Sequence, residues 1–325
     1  MTAAAPRSPS PPPADQAAAE EASALGHAPV PPDATARYGD DPDQVVDFYR
    51  PAAGSARPAP LVALLHGGAW RAAYDRAHVS PLAAHLAARG LAVASVEYRR
   101  GGQDGAAPGP RTPGGQAGGG GRPSSAPARA AEPAPAPAGR WPDTFDDVAA
   151  ALDALPSLAR AALGEDTVDP RRVVVTGHSA GGHLALWAAA RHLLPAGSPW
   201  HRSAPPALRG VVALAPVADF TSAIRLGVCS GAVLGLLGGP EHATDRLPHT
   251  DPAALLPTGI ATTLVHGTAD TVVPPQVSAA FARAAGAAGE EPTVAWLPGT
   301  GHFPLIDPTS GACAAVVEEI AQLAW

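Results

Sequence analysis

From Leu61 onward the chain alternates short apolar runs with stretches of helical length, and that alternation leaves few folds open to it. Leu61-Val62-Ala63-Leu64-Leu65 reads as a buried strand, residues 75–89 as a helix ending at Gly90, and Leu91–Tyr98 as a second strand. After an interruption the pattern resumes with a helix over 143–162, strands at Arg172–Thr176 and Leu208–Ala215, and a helix at Ala180–Leu194 between those strands. It closes with a strand at Ala261–His266, a helix over 275–287, a strand at Thr293–Leu297 and a helix over 311–323. Strands that are apolar at nearly every position are covered on both faces, so the fold class is α/β, a parallel sheet with helices on each side. Gln44–Tyr49 adds a leading strand at one edge.

The interruptions are compositional. Gly (35) and Pro (39) make up nearly a quarter of the 325 residues, a level that would indicate disorder if it were even. It is concentrated instead: residues 1–36 carry 9 of them, and residues 101–140 carry 19 with no aromatic residue and no Ile, Leu or Val. Segments so poor in large apolar side chains cannot offset their own ordering entropy. Residues 1–36 are therefore expected to form a disordered Ala/Pro-rich tail. Residues 37–325 form one domain, carrying a low-complexity Gly/Pro-rich surface insert at 101–140.

A net charge of −7 with no Arg-rich stripe argues against nucleic acid and anionic membranes as partners. The chain has no apolar run of about 18 residues and no charged amino-terminal region followed by an apolar one, so a cytoplasmic location is the expectation. Cys229 and Cys313 lack both a disulfide framework and metal-ligand spacing and are read as small buried hydrophobes. No metal site or cofactor motif is legible. His178 and His183, five residues apart, do not share a helix face and are read as packing or hydrogen-bonding residues.

The chemistry concentrates in a few loops. Gly177-His178-Ser179-Ala180-Gly181-Gly182 stands directly between a strand and a helix, where a tight turn lifts a serine hydroxyl clear of the sheet. A serine hydroxyl becomes a nucleophile only when a histidine removes its proton and an acid orients that histidine. His302, in Gly299-Thr300-Gly301-His302-Phe303, and Asp270, in His266-Gly267-Thr268-Ala269-Asp270, both follow strands at the carboxyl edge from which Ser179 emerges. Asp219, after the preceding strand, is a rival acid, better suited to capping the segment that follows it. His66-Gly67-Gly68-Ala69-Trp70 follows the first core strand with glycines that let backbone N–H groups face an oxyanion, and the N–H of Ala180 at the next helix start is a second donor. In the long stretch 219–258, Val233, Leu234, Leu236 and Leu237 either line an acyl pocket or pack on the sheet.

These segments, together with Val96-Glu97-Tyr98-Arg99, resemble the α/β-hydrolase superfamily over about residues 38–323, and within it the esterase/lipase branch that includes kynurenine formamidase-like and feruloyl-esterase-like enzymes. The resemblance implies a mostly parallel eight-stranded sheet with helices on both faces, a Ser179–Asp270–His302 triad, and an oxyanion site from Gly67, Gly68 and Ala180. It implies a metal-independent, carboxylesterase-like serine hydrolase that cleaves small esters or activated amides through an acyl-enzyme. Trp70, Leu234 and Leu237 are the candidate substrate-binding residues. An arylformamidase built on the same machinery is the alternative enzyme, and a binding module on the same scaffold is the alternative outside catalysis.

Overall fold

The computed structural model describes residues 14–54, 58–102 and 138–325. Eight strands form one sheet: β1 (Ala34–Arg37), β2 (Val45–Tyr49), β3 (Ala59–Leu65), β4 (Ala92–Val96), β5 (Val168–His178), β6 (Gly210–Leu214), β7 (Thr262–Gly267) and β8 (Thr293–Leu297). They lie in the order β1-β2-β4-β3-β5-β6-β7-β8. β1 and β2 pair antiparallel with each other and β2 antiparallel with β4, while β3 to β8 run parallel. Gln44–Tyr49 is thus a strand, as the alternation suggests, but not the edge: β1 lies outside it.

Within β3 the side chains alternate between two cores. Leu61, Ala63 and Leu65 join one cluster, and Val62 and Leu64 the other. The first core is covered by α3 (Asp143–Leu163), α4 (Ala180–Ala189) and α8 (Gln276–Ala287), the second by α2 (Ser80–Ala87) and α9 (Gly311–Ala324). Both faces of the parallel sheet are buried, which is why its strands are apolar throughout. α2 is shorter than the stretch 75–89 because Asp75 caps a 3-10 turn over Arg76–Val79 by accepting the Ala77 N–H. The stretch 219–258 holds three short helices, α5 (Phe220–Arg225), α6 (Ala232–Leu236) and α7 (Ala243–Thr250). No described helix is long and apolar enough to cross a membrane.

The amino-terminal segment departs most from expectation. Residues 14–36 do not form a solvated tail: Ala14–Leu25 is a helix, α1, and Ala34–Arg37 is strand β1. The helix compensates for its lack of large apolar residues with specific contacts. Ala24 is buried in the second core, and the Ser23 hydroxyl donates to Asp307 Oδ2 at 2.5 Å. Residues 1–13 and most of the Gly/Pro-rich insert, 103–137, lie outside the described residues. The ends of the insert are described, and both reach the same atom: the Trp70 carbonyl accepts the Gly101 N–H at 3.0 Å and the Gly139 N–H at 2.7 Å. The excursion therefore leaves and rejoins the fold beside the loop that follows β3.

Candidate active site

Ser179 occupies the one-residue turn between β5 and α4 with φ 58° and ψ −115°, a conformation costly for any side chain with a Cβ. Surrounding hydrogen bonds impose it. The Ser179 N–H donates to Leu214 O at 2.8 Å, and its carbonyl accepts the N–H groups of His183 at 3.1 Å and Val217 at 3.3 Å. The turn fits because a Cβ at Gly181 would collide with the carbonyl oxygens of Leu65 and His66. That close approach brings the end of β3 against the start of α4.

The loop after β3 is the other half of this junction. A Cβ at Gly67 would stand 2.9 Å from His178 O and 3.3 Å from the Ser179 Cβ, so Gly67 lies directly against the serine. Its orientation is set from behind by Val96-Glu97-Tyr98-Arg99. Tyr98 donates its hydroxyl to His66 O at 2.7 Å and stacks its ring on the His66 imidazole at 4.3 Å. His66 in turn donates from Nδ1 to Gly67 O at 2.8 Å. In a planar trans peptide the carbonyl and the following N–H point in opposite directions, so fixing Gly67 O fixes the direction of the Gly68 N–H.

Glu97 secures His66 from the far side, its Oε1 lying 2.8 Å from His66 Nε2 and its Oε2 accepting the Arg76 N–H at 3.0 Å. Burial alone would raise this carboxyl, but His66 and Arg100 bring it down to about 2. Arg99 braces the same strand end through Nε and Nη2 bonds of 2.8 and 2.6 Å to Asp147, a fully buried residue of α3.

Asp270 and His302 meet at the ends of β7 and β8. His302 Nδ1 donates to Asp270 Oδ2 at 2.6 Å, and Asp270 Oδ1 accepts the N–H groups of Val272 and Val273, each at 2.8 Å. Burial would raise the Asp270 carboxyl, but the charge of His302 and hydrogen bonds from His266 and His302 hold it well below the usual carboxylate range. The rival acid is engaged elsewhere: Asp219 caps α5, accepting the Ser222 N–H at 2.6 Å. His178 donates from Nε2 to the His302 carbonyl at 3.1 Å, and burial beside His302 lowers it so far that it stays neutral. His183 bonds Thr250 O at 2.9 Å and stacks on Phe220.

Ser179 and His302 line one cavity of about 260 Å³, with Gly68 on its wall and Asp270 behind His302. Ala180 is the fully buried first residue of α4, so its backbone lies at that helix's amino terminus. A shallower hollow of about 450 Å³ beside Gly299 and Ser310 holds none of these groups.

The candidate substrate residues are not on this cavity. Trp70 is 1% exposed, its ring edge-on to His183 and Phe220, because the loop turns it into the first core. Leu237 is fully buried in that core, and Leu234, in α6, is half-buried. The described wall is built instead by Phe303 of the His302 motif and by residues outside any motif, Arg71, Tyr74, Cys229 and Val272, with Glu21 and Leu25 from α1. Cys229 is thus half-buried, packed against the first core and also on the cavity, whereas Cys313 is fully buried.

Comparison with known proteins agrees with this architecture. Residues 135–284 match the family model described as BD-FAE. A probable carboxylic ester hydrolase, LipM, of Mycobacterium tuberculosis is 27% identical over 84% of the chain and 56% of its own length. A probable isoprenylcysteine alpha-carbonyl methylesterase of Oryza sativa subsp. japonica is 25% identical over 87% of the chain and 61% of its own length. The chain thus spans little more than half the length of these curated relatives. Among solved structures, esterase B from Lactobacillus rhamnosis superposes with TM-score 0.67 at 21% identity, covering 95% of this chain and 92% of that one. A truncated carbohydrate esterase from gut microbiota gives 0.66 at 20% identity, covering 92% and 99%. The fold is that of the α/β hydrolases, and the resemblance lies with their esterase branch.

Proposed function

We propose that the protein is a carboxylesterase-type serine hydrolase that cleaves small esters through an acyl-enzyme on Ser179. The observation that carries the reading is the 2.6 Å bond from His302 Nδ1 to a buried, ionised Asp270, on the wall of the cavity that Ser179 also lines. With Nδ1–H committed to Asp270, His302 Nε2 is the nitrogen left to take the serine proton. Ser179 Oγ attacks the ester carbonyl as His302 accepts that proton, and the Asp270 carboxylate stabilises the imidazolium that forms. His302 then protonates the departing alcohol, and a water activated by the same nitrogen releases the acid.

Negative charge on the carbonyl oxygen is met by backbone donors from the loop after β3 and from the start of α4, the N–H groups of Gly67 or Gly68 and of Ala180. The pinned Gly67 carbonyl gives the Gly68 N–H a fixed aim before substrate arrives, and such preorganisation is what makes oxyanion donors effective.

Turnover of 4-nitrophenyl acetate tests the reading. Ser179→Ala is expected to keep the melting temperature within a few degrees and to lower kcat by about 10⁴ or more. Retention of more than a tenth of the activity would refute the role of Ser179.

A further inference from the structure

The catalytic cavity has one wall that no motif of the sequence announces. α1 lies across the segment that follows His302, with Ala24 packed among the side chains of the second core that include Leu305 and Ile306. Around it Ser23 donates to Asp307 Oδ2 at 2.5 Å, and His27 Nε2 sits 2.9 Å from Asp307 Oδ1. Farther up the helix, Gln16 Nε2 donates to Gly299 O at 3.1 Å. Contacts at 16, 23 and 24 fix the rotation of the helix about its axis, and His27, two residues past its end, holds the chain that follows. Glu21 and Leu25, one helical turn apart, then stand together on the cavity that Ser179 and His302 line.

Glu21 brings a carboxylate to that wall, and among the described residues it makes no ion pair. The cavity's other fixed charge is Arg71, whose Nη2 donates to the Cys229 carbonyl at 2.8 Å, tying the 229–230 turn to the loop after β3; a bond to a neutral carbonyl leaves its positive charge in place, opposite in sign to Glu21. Two imidazoles on the same wall add no compensating charge. Burial, with His66 nearby, pushes His78 down to about 4, and burial beside His302 pushes His178 lower still.

We propose that Glu21 is a specificity-determining residue, shifting preference toward esters that carry a cationic ammonium group and away from esters that carry a carboxylate, against the opposite pull of Arg71, and that Leu25 limits the width of the group admitted beside it. This rests on the serine-esterase reading of the same site. Glu21 is half-exposed, so its field is screened and its effect is a graded preference, not an absolute requirement. A substrate charge about 8 Å from the carboxylate is favoured or disfavoured about twofold according to its sign, so an ammonium is discriminated from a carboxylate by about fivefold.

The experiment measures kcat/KM for three 4-nitrophenyl esters of matched length ending in a trimethylammonium, a methyl or a carboxylate group, each normalised to its rate with hydroxide. The wild-type ratio of the ammonium-ester rate to the carboxylate-ester rate is the reference. Glu21→Gln lowers that ratio about fivefold, and Glu21→Lys lowers it further, by about the square of that factor. Leu25→Ala leaves the charge ratio in place and raises the relative rate of an ester with a branched acyl chain. Ratios in both Glu21 variants within twofold of wild type, with turnover still dependent on Ser179, would overturn the proposal alone. Failure of the wild type to cleave any of the three esters would overturn the serine-esterase reading and this proposal with it.

Discussion

The two sides of the cavity that Ser179 and His302 line are held in different ways. On the sheet side, Ser179 is locked by three backbone hydrogen bonds, Asp270 by two backbone N–H groups, and the loop after β3 by Tyr98 and His66 acting on successive carbonyls. On the opposite side, α1 is held largely by side chains around Asp307, and the turn at Cys229 and Ser230, both at positive φ, is tied to the loop after β3 by the Arg71 guanidinium. In the proposed mechanism the reacting groups must be placed to a fraction of an ångström, and the sheet edge does that with the backbone. A wall that only sorts substrates can rest on side chains, which are replaced without disturbing the strands.

The largest effect that would break this contrast is at the acid. Asp270→Asn is expected to lower kcat by about 10³ to 10⁴, since the amide no longer holds His302 in the required tautomer. Asp219→Asn, which keeps an N-cap acceptor for Ser222, is expected to leave kcat within tenfold of wild type. Rates of 4-nitrophenyl acetate hydrolysis decide it, and the reverse ordering would move the acid to Asp219.

A smaller effect sharpens the account of the oxyanion loop. Tyr98→Phe keeps the ring that stacks on His66 but frees the His66 carbonyl, so about a tenfold loss in kcat with KM nearly unchanged is expected. A change in KM alone would assign Tyr98 to packing.

The smallest effect concerns acid stability. Glu97 is lowered from 4.5 to about 2 in the folded protein, so its contribution is complete above the unfolded value and is lost as pH falls through the folded one. The melting-temperature gap between wild type and Glu97→Gln is therefore expected to be widest near neutrality and to close between about pH 4.5 and pH 2. A gap independent of pH would mean that Glu97 acts by shape alone.

The same contrast governs what the sequence makes legible. The sheet side is readable because its constraints are severe: Gly181 stands where a Cβ would strike the end of β3, and β3 is apolar at every position because it is buried on both faces. Ser179, Asp270 and His302 can be picked out because each lies in the segment that follows the carboxyl end of a strand of such a sheet. The other wall leaves no comparable trace. α1 docks through Ala24, Ser23 and His27, and small or polar residues in an Ala-rich stretch carry no hydrophobic period to read. Trp70, Leu234 and Leu237 illustrate the converse. Large apolar side chains near a site are as well suited to the core as to a ligand, and their direction depends on local backbone turns, such as φ 56° at Trp70, that composition does not reveal.

Covalent labelling tests the central claim most directly. A fluorophosphonate reacts only with a serine whose proton is being drawn off by a neighbouring base. One equivalent per chain is expected to attach at Ser179, located by peptide mass spectrometry. That label should disappear in Ser179→Ala and slow by orders of magnitude in Asp270→Asn. Full esterase activity without labelling at Ser179, or a label on another residue that tracks the loss of activity, would contradict the account.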